Sequence, residues 1–164
     1  MEVSNLDRNR TIAGAVASLL LILSLIFLEW FGLTDTPARA EQGAWICGEG
    51  DFSCTGWETF PILRWALLLA ALAPAILGYI LIRGHKLSYP PGEMTMVAGF
   101  AAFVLILYNG VMYKPEPEEG IAFGISLGIG YWIALAAAAA IGMVGFLRSM
   151  ASGGRQKRKA PGTV

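Results

Sequence analysis

Apolar residues along this chain gather in four long runs, separated by short polar segments. Thr11 to Leu28 and Trp65 to Ile82 each give 18 residues without a charge, Met94 to Tyr113 gives 20, and Ile121 to Leu147 gives 27. A helix rising about 1.5 Å per residue crosses the ~30 Å hydrocarbon layer of a bilayer in roughly 20 residues. The pattern therefore predicts four transmembrane helices, over about residues 11–31, 62–82, 94–113 and 121–147. The expected fold class is an all-α membrane protein: one four-transmembrane-helix bundle over residues 1–147, with a basic cytoplasmic tail over 148–164. A secretory signal is the competing reading of the first run, because Ala38-Arg39-Ala40 has the small-x-small form of a cleavage site. That run exceeds the roughly 7–15 residues of a signal core and ends well before the site, so a retained span is expected.

Composition agrees with the pattern. Of the 164 residues, 55% are hydrophobic and 15% charged, where a soluble domain carries about a quarter. A soluble fold of this composition would have too little polar surface to cover itself. The net charge is zero, so nothing argues for a nucleic-acid partner, and none is expected.

The placement of charge adds orientation. With both termini on the cytoplasmic side, nine of the 12 Lys and Arg residues fall inside: Arg8, Arg10, Arg83, Lys86, Arg148, Arg155, Lys157, Arg158 and Lys159. Only Arg39, Arg64 and Lys114 fall outside. The positive-inside rule selects that topology and predicts a multi-pass protein of the plasma membrane with both ends cytoplasmic. The tail residues Arg155, Lys157, Arg158 and Lys159 read either as a contact for anionic lipid headgroups or as a solvated topology anchor.

Both cysteines, Cys47 and Cys54, then lie in the first outer loop, on an oxidising face. A disulfide there would staple the loop. Closing so short an interval is worth about 2.5 kcal/mol on a chain-entropy estimate. The flanks Trp45-Ile46 and Thr55-Gly56-Trp57 are expected to pair as a hairpin beneath it. A redox-active pair is the other reading, but the Cys-x-x-Cys spacing and a second relay pair are missing. Two cysteines and one distant histidine, His85, do not complete a metal shell, and no metal or cofactor is expected. Trp30, Phe31, Trp45, Trp57, Phe60 and Trp65 crowd the same region and read as an interfacial aromatic belt.

Ionisable groups near the spans are few. Glu29 and Arg64 fall at similar depth near the outer ends of spans one and two. They either form an ion pair that fixes helix register or reach the headgroups independently. Asn109 is placed to hydrogen-bond across helices, with Ser24 or Ser126 as partner. Pro74 should bend span two. In span four, Gly120, Gly124 and Gly128 recur on one helical face, and Gly130, Ala134, Ala138 and Gly142 form a second small stripe. Small residues let helix backbones approach closely. One stripe would serve packing within the bundle, the other a homo-oligomer or a larger membrane complex.

The layout resembles a loosely defined group of small four-helix membrane proteins of actinobacterial type. The shared marks are Trp30-Phe31-Gly32 closing span one, Gly56-Trp57-Glu58-Thr59-Phe60 leading to span two, and a Gly- and Ala-rich last span. Glu29 stands where that group often has proline. The resemblance implies a four-helix envelope protein and supplies no catalytic residue. No catalytic residue is assigned from the sequence either. The expected function is a non-enzymatic accessory or assembly subunit of the cell envelope. The alternatives are a small transporter or channel component and, third, an outer-face thiol oxidoreductase.

Overall fold

A computed structural model describes residues 5–34, 46–48, 50–82, 91–115 and 124–156. Most of them are helical. The order is α1 (Asn5–Phe27), β1 (Glu29–Leu33), β2 (Ser53–Thr55), α2 (Gly56–Thr59), α3 (Leu63–Ile82), α4 (Pro91–Val111), β3 (Ile125–Leu127) and α5 (Ile129–Gln156). Three helical stretches are long and apolar enough to cross a membrane: Asn9–Phe27, Gly92–Val111 and Ile129–Ala151. Within α3 the apolar stretch that qualifies is shorter, Leu63–Leu77, and the helix runs on through Pro74.

The long helices pack as antiparallel neighbours. α5 lies against both α4 and α1, and α3 touches α1 and α4. Their shared core contains Leu21, Leu25, Leu67, Ile106, Ala134 and Ile141. The α4–α5 seam is the closest. A Cβ on Gly99 would stand 2.2 Å from the Gly142 nitrogen, and one on Gly145 would stand 2.2 Å from the Met96 nitrogen. These two helices therefore meet backbone to backbone, which only glycine at those positions allows.

Two expected helix limits are corrected. Span one does not continue to residue 31. The helix ends at Phe27, and Glu29–Leu33 is a strand. The reason lies in Trp30, whose indole Nε1 donates to the Ser24 carbonyl oxygen at 3.0 Å. That carbonyl also accepts the last helical bond, from the Leu28 nitrogen. The ring thus folds back over the final turn and partners a carbonyl at the helix end. Span four does not begin at residue 121 among the described residues. Ile125–Leu127 is a strand and the helix starts at Ile129. An all-α fold is therefore corrected to a helical body carrying a small sheet.

The sheet is antiparallel with order β2-β1-β3. β1 pairs Phe31 with Cys54 and Gly32 with Ser53 on one side, and Phe31 with Leu127 and Leu33 with Ile125 on the other. The β1–β2 register shifts between Glu29 and Phe31. A bulge there interrupts the alternation of side chains, and consecutive Trp30 and Phe31 are both fully buried in one cluster. The sheet sits where α1 ends and α3 and α5 begin. At the other end of the body, Arg10 Nη1 meets the Leu147 carbonyl oxygen at 3.5 Å and Arg148 donates to Thr11 Oγ1. The first turns of α1 and the last of α5 thus share one end of the molecule.

Candidate functional site

The strongest local organisation is the cap formed by the sheet, α2 and the cysteine pair. Cys47 and Cys54 stand at disulfide distance, with Cα atoms 5.9 Å apart. Cys54 is buried in the middle of β2, and Leu33, Ile46 and Cys54 make a small core of their own. Within the bridged loop Ile46 N donates to Asp51 O and Asp51 N to Gly48 O, both at 3.0 Å. Gly50, with φ +98°, supplies the left-handed backbone this turn requires. The expected hairpin of residues 45–46 with 55–57 is corrected. Ser53–Thr55 pairs with β1 instead, Gly56-Trp57 opens a helical turn, and Trp45 lies outside the described residues.

Thr55 turns strand into helix. Its Oγ1 accepts from Glu58 N at 3.3 Å, while the Glu58 carboxylate accepts from Thr55 N at 3.0 Å. This reciprocal capping box satisfies donors that a helix start leaves open. Other polar side chains are spent in the same way. Ser53 Oγ donates to Glu29 Oε1, Ser126 Oγ to the Gly32 carbonyl, and Thr34 Oγ1 to the Gly124 carbonyl. Ser24 Oγ donates across to the Gly130 carbonyl, joining α1 to the first turn of α5.

Beneath the sheet is an aromatic cluster. Trp30 meets Phe60 and Tyr131 edge-on at 6.4 and 6.1 Å between ring centroids, and Phe31 meets Phe60 at 5.8 Å. Such pairs contribute about 0.5–1.5 kcal/mol beyond the burial of their area. The expected aromatic belt is accordingly divided. Trp30 and Phe31 are core residues, whereas Trp65 is exposed and Trp57 half-buried. Arg64 lies between the latter two, its guanidinium carbon 4.9 Å from the Trp57 ring centre and 5.8 Å from that of Trp65. Its Nη1 donates to the Trp57 carbonyl at 3.3 Å.

The expected Glu29–Arg64 ion pair does not form. Glu29 lies on a strand and holds Ser53, and Arg64 is committed to the tryptophans. Asn109 does not reach another helix either. Its Nδ2 donates to the Leu105 carbonyl one turn back at 2.8 Å, and Ser24 and Ser126 have the partners named above.

The two stripes of span four part company. Gly124 and Gly128 flank β3 and share no helical face, and Gly120 lies outside the described residues. Gly128 is small because a Cβ there would stand 2.3 Å from the Glu29 carbonyl oxygen. Gly130, Ala134, Ala138 and Gly142 do lie on α5 and are all buried within the chain. Gly130 backs onto Leu28 and Trp30, and Gly142 packs under Phe100. That stripe is therefore consumed inside this molecule and is not left for a second copy. The facing half of the α4–α5 seam, Gly92, Thr95, Gly99, Ala102, Ile106 and Gly110, was not singled out from the sequence. Its signal was present: these buried positions recur at steps of three and four.

Arg155 closes the described part of α5, while Lys157, Arg158, Lys159 and His85 lie outside the described residues. Among the described residues no three His, Cys, Asp or Glu side chains converge as metal ligands would. The fold and cap thus define a class: a mostly helical protein with three helices able to span a membrane and a covalently tied cap at one end. Beyond that class, the chain matches no protein-family model, no curated protein and no solved structure.

Proposed function

We propose that the chain is a non-enzymatic, four-helix integral protein of the plasma membrane, with both termini cytoplasmic, serving as an accessory or assembly subunit of the cell envelope. One observation carries the reading. The helices present large apolar side chains outward, among them Leu19, Leu23, Leu69, Val97, Val104 and Met143, while polar hydrogen bonding concentrates at the two ends. An exposed apolar surface of that extent needs lipid or a partner to cover it. The cap supports the assembly role, because its side chains are engaged in holding a rigid surface together. In this reading α3 is the fourth span, and the resemblance to small actinobacterial membrane proteins concerns the same layout.

The test has two stages. Membranes carrying the full chain are washed with alkaline carbonate, and single cysteines introduced near Asn5 and Lys114 are probed with an impermeant reagent. The chain should stay in the pellet, with Lys114 labelled from outside and Asn5 protected. The chain is then purified from its native membrane in mild detergent. Co-purification of a defined envelope complex, lost when the cap is disrupted by Cys47→Ser/Cys54→Ser, supports the role. A chain that purifies alone, or transport of a solute when it is reconstituted by itself, refutes it.

A further inference from the structure

An open apolar groove of about 720 Å³ runs between α1 and α5. Its walls include Ala13, Ala17 and Leu20 on α1 and Ala136, Ala137 and Ala140 on α5. It exists because alanines stand where larger side chains would fill the crease. From Asn9 to Leu20 it follows α1 for about 17 Å, at ~1.5 Å per residue. Asn9 marks one end, the end remote from the cap.

At that same end two arginines tie the helices together. Arg10 reaches the Leu147 carbonyl and Arg148 reaches Thr11 Oγ1, so both guanidiniums cross between α1 and α5. Leu147 lies two turns beyond Ala140 on α5. Two half-buried positive charges therefore converge at the mouth of an apolar channel. Like charges at the edge of a low-dielectric site repel, and an anion lying between them relieves the repulsion.

Charge also decides between occupants. Copies of this chain inserted in the same sense would meet over the groove about a two-fold axis normal to the membrane. That arrangement puts the partner's arginines at the same depth and brings four guanidiniums together. An anion carrying an apolar tail matches both halves of the site instead. We infer that the α1–α5 groove holds one anionic phospholipid, its phosphate at Arg10 and Arg148 and one acyl chain along the alanine-lined walls. The inference rests on the membrane reading above.

Native mass spectrometry of the full chain in mild detergent tests it, with phosphatidylglycerol, phosphatidylcholine and glycerol phosphate as probes. One phosphatidylglycerol per chain should survive collisional removal of detergent, and phosphatidylcholine should not. Arg10→Ala should weaken retention roughly fivefold, as expected for one basic residue at an anionic headgroup. Ala140→Phe and Ala136→Phe, both at exposed positions on the groove, should abolish retention while leaving the circular dichroism unchanged. Equal retention of phosphatidylcholine would overturn the proposal. So would competition by glycerol phosphate as strong as by the lipid, unchanged binding in both phenylalanine variants, or a lipid-free dimer. Extraction of the chain by carbonate would overturn the membrane reading together with this one. Resistance to carbonate with no lipid retained would overturn this one alone.

Discussion

Gly99→Ala measures how closely α4 and α5 are held. The added Cβ would lie 2.2 Å from the Gly142 nitrogen and 2.6 Å from its Cα. Non-bonded carbon rests at about 3.5–4.0 Å from its neighbours, so the helices must part by more than ~1 Å at that point. The obstacle is backbone, which has no rotamer to change. Two effects oppose. Alanine is the better helix former by about 1 kcal/mol. Overpacking costs about 1–3 kcal/mol, and a gap of ~0.5–1 Å forfeits about a quarter to a half of each dispersion contact along the seam. Because this seam is the most extensive between any two helices, the clash should win by about 1–2 kcal/mol. Gly145→Ala meets the Met96 nitrogen at the same 2.2 Å and should cost as much. The opening made by one variant accommodates the other, so the double variant should cost less than the sum. Ala101→Leu, at an exposed position on the same helix, should be close to neutral. Reversible unfolding in mixed dodecyl sulfate and maltoside micelles, followed by circular dichroism, gives all four values. A Gly99→Ala protein as stable as its parent, or a strictly additive double variant, would refute backbone contact.

Three further substitutions probe the cap. Cys47→Ser/Cys54→Ser should lower stability by about 2.5 kcal/mol, read as a fall in unfolding midpoint that a reductant reproduces in the parent but not in the variant. Gly56→Ala places a Cβ 2.6 Å from the Trp30 ring and should cost about 1–3 kcal/mol, with a shift in tryptophan emission as the buried indole is displaced. Ser24→Ala removes the bond to the Gly130 carbonyl and should cost only about 0.6–1.7 kcal/mol, the range for interhelical hydrogen bonds in membranes, by the same unfolding titration.

Much of the helical body was legible in the sequence, because apolar run length follows directly from what a helix must bury. The bridge was legible from two cysteines at short separation. The ends of the helices were not. Trp30 and Phe31 continue the apolar run of α1, and hydropathy cannot distinguish a ring that faces lipid from one folded back onto Ser24. Ile125–Leu127 is apolar too, and becomes a strand only because β1 offers it partners about 95 residues away in the chain. Glu29 and Arg64 matched in depth on paper. The strand that replaced the last helical turn carried Glu29 to Ser53, and nearby tryptophans took Arg64. The α4 seam escaped notice for a different reason. Glycine and alanine are so dense in α5 that its stripe was conspicuous, although a close helix contact needs small residues on both partners.

The sheet also fixes where a bilayer would have to end. Strands leave backbone groups on their outer edges that hydrocarbon cannot satisfy, so the cap belongs outside the apolar layer. Below it, Asn9–Phe27 spans about 28 Å, Gly92–Val111 about 30 Å and Ile129–Ala151 about 34 Å, at ~1.5 Å per residue. These lengths match a hydrocarbon core of ~30 Å without the residues that the strands took over. Shortening α1 and α5 thus costs nothing in reach, and it moves Glu29 out of the layer and into the cap. The one carboxylate that the sequence placed at the edge of a span becomes a hydrogen-bond acceptor for Ser53. On the membrane reading, the cap is a single interfacial body to which α1, α3 and α5 are all anchored at one end. A partner that grips the disulfide-bridged loop would therefore pull on three helices at once, through β1, α2 and β3.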